Sequence, residues 1–193
     1  PSKERRWFNS NLRCDMGDQE HRISVVIPHV PGPNHDKMLK ECVDSLEGYD
    51  ELIVVTNEIG TLGFTRAVNM GLKLATGDYM MVVNNDTVWT EGTLDEMCVP
   101  NVVTSPKLGG NPQYFWGCFF VIPRSVLDKV GLLDEQFYLY CSDTDYVLRC
   151  KEERVKLNSI ETCNVDTKGG RTTRTDPNRF AIATADEKKF FTK

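Results

Sequence analysis

Three short, β-branched, apolar runs constrain this chain most: ISVVIP (23–28), ELIVVTN (51–57) and YMMVVN (79–84). Each is too short for a typical helix, and the stretches between them suit one. KMLKECVDSLEG (37–48) sets Met38, Leu39, Cys42, Val43 and Leu46 on one helical face, with Asp36 as a cap and Gly48 as a stop. The prolines and glycine of HVPGPNH (29–35) predict a loop before that helix. FTRAVNMGLKLA (64–75) predicts a second helix, with Gly77 beyond its end. Strand, helix, strand, helix, strand argues for an α/β domain with a mostly parallel central sheet flanked by helices. Ligands of such sheets gather at the carboxyl ends of the strands, where PHVPGP, TNEIG and NNDT fall.

From Asn101 the texture changes. NVVTSP (101–106) and YFWGCFFVIP (114–123) are strand-like, and RSVLDKV (124–130) suits a short helix. Asp143 can cap a further helix carrying Val147 and Leu148, and VKLNSI (155–160) reads as the last strand. DTKGGRTTRTDPNRF (166–180) reads as a basic loop, and Asp186 onward as a small terminal helix. With no internal repeat or low-complexity linker, a single domain is expected over 1–193. It comprises a first half at about 20–100, a second half at about 101–175 and a tail at 176–193.

Composition narrows the function classes. A net charge of −5 argues against a broad, non-specific grip on nucleic acid, which needs clustered positive charge. The seven cysteines (Cys14, Cys42, Cys98, Cys118, Cys141, Cys150 and Cys163) are odd in number and include no CxxC pair, so buried reduced thiols are expected rather than disulfides or a zinc site. The longest strongly apolar run, near 115–122, is far short of the roughly 18 residues that cross a bilayer. The basic start PSKERRWFNSNLR lacks the apolar stretch of a signal peptide, so the cytoplasm is the expected compartment.

One polar cluster stands out. The strand at 79–84 delivers Asn84, Asn85, Asp86 and Thr87 together at its carboxyl end. By residue type alone this is a turn or a ligand site, and Asp143 is a helix cap or a catalytic carboxylate. Five stretches decide the resemblance: VVIP (25–28); Gly63-Phe64 with Asn69 and Gly71; Asn84 to Thr87; VGLLDEQFYLYCSDTDYVLR (130–149); and VDTKGG (165–170). In this order they resemble family 2 glycosyltransferases of the GT-A (Rossmann-like) fold, in particular compact rhamnosyltransferase-like members, over about residues 23–173.

That resemblance implies an inverting, metal-dependent transfer of a sugar from a nucleotide-diphospho-sugar (UDP-, dTDP- or GDP-linked) to an acceptor hydroxyl. It makes Asp86 the ligand of a Mn²⁺ or Mg²⁺ ion, with Asn84 and Asn85 beside the ribose or diphosphate. Pro28, His29, Val30, Thr56, Asn57 and Arg66 fall where members meet the nucleotide. Asp143 corresponds to the catalytic base. Trp116, Gly117, Ser142, Asp145 and Arg149 fall in the donor and acceptor pocket, with an Asp145–Arg149 ion pair steadying the helix as the other reading of those two residues. Three positions depart from the pattern: Thr56 replaces a base-reading aspartate, Ser142 a glutamate, and Thr167 a histidine near the metal. Lys168 and Arg171 are candidates to stabilise the leaving diphosphate in that histidine's place. The rival readings are a non-catalytic sugar-nucleotide-binding protein, motivated by those losses, and a nucleotidyltransferase.

Overall fold

A computed structural model describes residues 3–8, 21–58, 61–107, 115, 117–167 and 173–193. Among them, seven strands form one sheet in the order β1-β3-β2-β4-β7-β6-β8. The strands are β1 (Lys3–Phe8), β2 (Ile23–His29), β3 (Glu51–Thr56), β4 (Tyr79–Val83), β6 (Val102–Pro106), β7 (Phe119–Pro123) and β8 (Lys156–Ile160). β2, β3, β4, β6 and β8 run one way; β1 and β7 run against their neighbours. The mostly parallel sheet expected from the sequence is therefore present. A separate ribbon pairs β5 (Thr87–Glu91) with β9 (Asn164–Thr167).

Alternation along the strands sorts side chains onto two faces. Val26, Ile53, Val55, Met80, Val82, Phe120 and Ile122 point one way and are covered by α2 (Gly63–Leu74), α3 (Arg124–Val130) and α4 (Ser142–Glu152). Val25, Ile27, Leu52, Val54, Met81, Val83, Phe119 and Val121 point the other way, under α1 (Pro33–Asp44), the β9 ribbon and the short 3₁₀ turn at Asp95–Met97. Both faces of the central strands are dry, which is why these strands read as continuous apolar runs rather than alternating ones. Each such fully buried Val, Ile or Phe is worth about 1.5–3 kcal/mol.

Several boundaries differ from the sequence expectation. Helix α1 starts at Pro33, inside the segment assigned to loop, because proline at a first helical position forfeits no hydrogen bond. It ends at Asp44 with Ser45 as its C-cap, before Gly48. Asp143 is not the cap of α4: Cys141 takes that place in a left-handed conformation (φ 65°), and Asp143 lies in the first turn. VKLNSI is not the last strand, since β9 follows it, and α5 (Arg179–Thr192) begins well before Asp186.

α1 and α2 pack on opposite faces, and β2 is hydrogen-bonded to β3 on one side and β4 on the other. The crevice beyond the carboxyl ends of β2 and β4 is thus the point where the chain changes direction across the sheet. None of the six described cysteines forms a disulfide. Among the described residues no helix is long and apolar enough to cross a membrane.

Candidate active site

An open cleft, enclosing about 640 Å³ with open solvent included, lies at that crevice. Pro28, His29 and Val30 follow β2 into it, Asn57 follows β3, and Asn84, Asn85 and Asp86 follow β4. Seven residues expected at a nucleotide site from the sequence are thereby gathered at one place.

The NNDT turn is held from three sides. The Asn84 N–H donates to the Cys118 carbonyl (2.8 Å), the Thr87 N–H closes the turn on the Asn84 carbonyl (3.0 Å), and the Cys42 thiol donates to that same carbonyl (3.5 Å). Burial, with the nearby Asp86 charge, pushes the Cys42 thiol up to about 12, so it stays protonated and able to donate. Asn85 Nδ2, which can only donate, lies 3.1 Å from His29 Nδ1. His29 therefore carries its proton on Nε2, which meets Asp36 Oδ1 at 2.9 Å. Burial lowers the His29 pKa, the Asp36 partner only partly offsetting it, and the ring is neutral at pH 7. His29 thus works as a strut between α1 and the turn.

Asp86 is 5% exposed at the cleft. Asn84 Oδ1 is buried there and meets no hydrogen-bond partner among the described residues. The described lining includes a second carboxylate, Asp176, and no lysine or arginine. Asp176 is buried, and its Oδ1 accepts the Asn178 N–H at 2.8 Å.

Asp143 lies outside this lining but next to it. Gly117 abuts its carboxylate so closely that a Cβ there would lie 3.2 Å from Asp143 Oδ2. Burial first, and then both Asp86 and Asp143, push the Cys118 thiol up to about 12, so the two carboxylates act on the same short turn from separate elements. Asp143 Oδ1 accepts the Thr144 N–H at 2.8 Å.

Other expected residues are placed differently. Thr56 and Arg66 are not in the lining; Arg66 reaches Glu135 at the surface (3.6 Å). Asn57 lines the cleft, but its amide is spent on its own loop, donating to the Gly63 carbonyl and accepting from Thr61 and Leu62. Ser142 is buried in the first turn of α4. Asp145 and Arg149 form an ion pair at 2.8 Å, and Arg149 also donates to the Val130 carbonyl, which binds α4 to the end of α3 rather than facing the cleft. Thr167 sits opposite Thr87 in the β5–β9 register, one residue from Asp86. Trp116, Lys168 and Arg171 lie outside the described residues.

Sequence reasoning left out six lining residues: Gly63, Phe64, Tyr138, Leu139, Thr173 and Asp176. Gly63 and Phe64 were recognisable as part of a motif, but nothing in the sequence signals that Tyr138 or Asp176 folds over this edge.

Residues 33–100 match the family described as Glycosyl transferase family 2. Over that stretch the chain is similar to family 2 glycosyltransferases. Solved structures share the fold of this chain at low identity. A mannosyltransferase of Pyrobaculum calidifontis, PcManGT, in complex with GDP-Man and Mn²⁺, superposes with a TM-score of 0.54 at 15% identity, over 87% of this chain and 65% of that one. TarS of S. aureus gives 0.52 at 14% identity, over 72% of this chain and 35% of that one. Its 1-349 form in complex with UDP gives 0.51 at 12%, over 85% and 65%. The chain thus spans about two thirds or less of the length of these proteins. No curated protein sequence matches the chain.

Proposed function

We propose that this chain is a family 2 glycosyltransferase that moves a sugar, with inversion, from a nucleotide-diphospho-sugar to an acceptor hydroxyl. The observation that carries the reading is the convergence of Asn84, Asn85 and Asp86 with His29 in one cleft at the sheet's switch point.

The cleft's own charge supports a divalent ion. Its described lining offers the carboxylates of Asp86 and Asp176 beside a neutral His29. Asp86 and the orphaned Asn84 Oδ1 are hard oxygen donors suited to Mg²⁺ or Mn²⁺. An ion of that kind is commonly held in large part through its substrate's phosphates. When bound, such an ion neutralises the diphosphate as it departs.

The chain's own residues do the rest. His29 and Asn85 hold the turn that presents Asp86. Asp143, beside Gly117, takes the proton of the acceptor hydroxyl as its oxygen bonds to the anomeric carbon and the bond to the diphosphate breaks on the opposite face. Because the Asn57 amide is consumed internally, the base is left to other groups of the lining, with UDP, dTDP and GDP donors all in range.

Thermal unfolding with a panel of nucleotides and nucleotide-sugars, with and without Mn²⁺, tests this directly. A ligand at about 100 times its Kd adds roughly 2.7 kcal/mol of stability. One nucleotide class should raise the Tm only with metal present, and Asp86→Ala should erase that shift. A panel with no stabilising member would reject donor binding. Donor binding without transfer or hydrolysis to any offered hydroxyl would favour a non-catalytic binding protein.

A further inference from the structure

The only buried residue of α5 is an acid. Asp186 is fully buried, and its carboxylate accepts three consecutive backbone N–H groups: Tyr138 (3.1 Å to each oxygen), Leu139 (2.9 Å) and Tyr140 (3.0 Å). Lys189 completes the arrangement, reaching Asp186 Oδ1 at 3.1 Å and the Gln136 carbonyl at 2.7 Å. Burial works to raise the Asp186 pKa, but these donors outweigh it and hold the carboxyl below the usual range. A buried charge is tolerated only with such full satisfaction.

What this carboxylate grips matters. Tyr138 and Leu139 wall the cleft. The Tyr138 carbonyl faces the start of α2: the Thr65 N–H reaches it at 3.4 Å, and a Cβ on Gly63 would come within 2.3 Å of it. Directly after Tyr140 comes Cys141, a non-glycine residue at φ 65°, which turns the chain into α4 and delivers Asp143 two residues later. A left-handed residue of this kind costs about 1 kcal/mol or more and persists where its surroundings impose it.

We propose that Asp186 is a positioning residue for the site: its carboxylate fixes the Tyr138–Tyr140 backbone, which shapes the cleft wall and sets the entry of α4 that aims Asp143. This rests on the nucleotide-sugar reading above. It assigns the segment at 173–193, outside the stretch that resembles the family, a part in the site.

The test pairs two readouts on Asp186→Asn, with Val126→Ala in α3 as a control for general loss of stability. Backbone hydrogen exchange reads the grip whether or not any ligand binds. Calorimetric titration with GDP or UDP and Mn²⁺ reads its consequence without turnover. In Asp186→Asn the amides of residues 138–140 should exchange faster by about tenfold or more while those of β2 and β4 keep their protection, the loss expected of charge-assisted bonds. Nucleotide affinity should fall by a similar factor, and in Val126→Ala it should not. Unchanged exchange at 138–140 would overturn the proposal. Faster exchange with affinity no worse than the control would overturn the positioning role. A wild type that binds no nucleotide would overturn the functional reading and the positioning role with it, whereas the exchange result would still report the grip. Should Asp186→Asn not fold, Lys189→Met weakens the same grip from its exposed side, and no acceleration at 138–140 in that variant would also overturn it.

Discussion

Asp143 and His29 sit within the same small region but answer to different physics. Asp143 is half-buried against Gly117, at the edge of the cleft, so replacing it with asparagine keeps the shape and removes only the basic oxygen. A positioned base contributes about 10²–10⁴-fold, so kcat in Asp143→Asn should fall by that order while donor affinity stays within about twofold. A rate near wild type would remove Asp143 from the reaction. His29 is a stability element. Its folded pKa is lowered by burial, with the neighbouring His35 lowering it further against the Asp36 partner that raises it. A lowered folded value means that the unfolded chain binds the proton better. The contribution is therefore complete above the ordinary value of about 6.5 and is lost as pH falls through the folded value. Protonation also takes away the lone pair that Asn85 uses, so the NNDT turn should loosen in the same window. His29→Gln should flatten the dependence of Tm on pH below about 6.5, and wild-type and variant curves running parallel there would refute it.

Elements with an apolar pattern of their own were legible in the sequence, and those defined by partners were not. β2, β3 and β4 are buried on both faces and announce themselves as β-branched runs. α2 was readable from its apolar stripe to within a residue. Yet its motif residue Asn69 turns out to be a tie rather than a ligand contact: its amide donates to the Leu133 carbonyl (2.8 Å) and accepts the Leu133 N–H (3.0 Å), joining α2 to the loop before α4. Gly71 similarly lets α2 settle on Val26. β1 pairs along the edge of β3 from a sequence with no strand-like alternation, and β9 is four residues long, so neither carries a local signal. The candidate cleft was legible where a strand delivers residues to it, at His29 and Asn84 to Asp86. It was illegible at Tyr138 and Asp176, because what brings them to the cleft is the docking of a distant helix.

That docking is held largely by charges, which makes it conditional on pH in a way the sheet is not. α5 and its last turn meet the rest of the molecule through Asp186 on the 138–140 backbone, through Lys193 between Asp134 (2.7 Å) and Asp145 (2.6 Å), and through Phe190 beside Phe137. The sheet, by contrast, is enclosed by apolar side chains on both faces. Asp186 and Asp134 would be raised by burial, but their hydrogen-bond donors prevail and both stand below the ordinary carboxylate value. Groups with a depressed folded pKa contribute stability that is present above the unfolded value, about 3.9, and lost as pH falls through the folded one. The Lys193 pKa is raised, first by its bond to Asp134 and then by Asp145, so its share is present below about 10.5 and lost only as pH rises beyond that. At acid pH the helix should therefore come away before the sheet opens. Limited pepsin digestion at stepwise lower pH should cut first near Phe180, Phe190 or Phe191, leaving a core that still shows the sheet's circular dichroism. The wild type should lose nucleotide binding in the same interval, since the loop walling the cleft is released with the helix. A single acid transition in which α5 and the sheet are cleaved together would mean that apolar contacts, not the buried carboxylate, keep the helix in place.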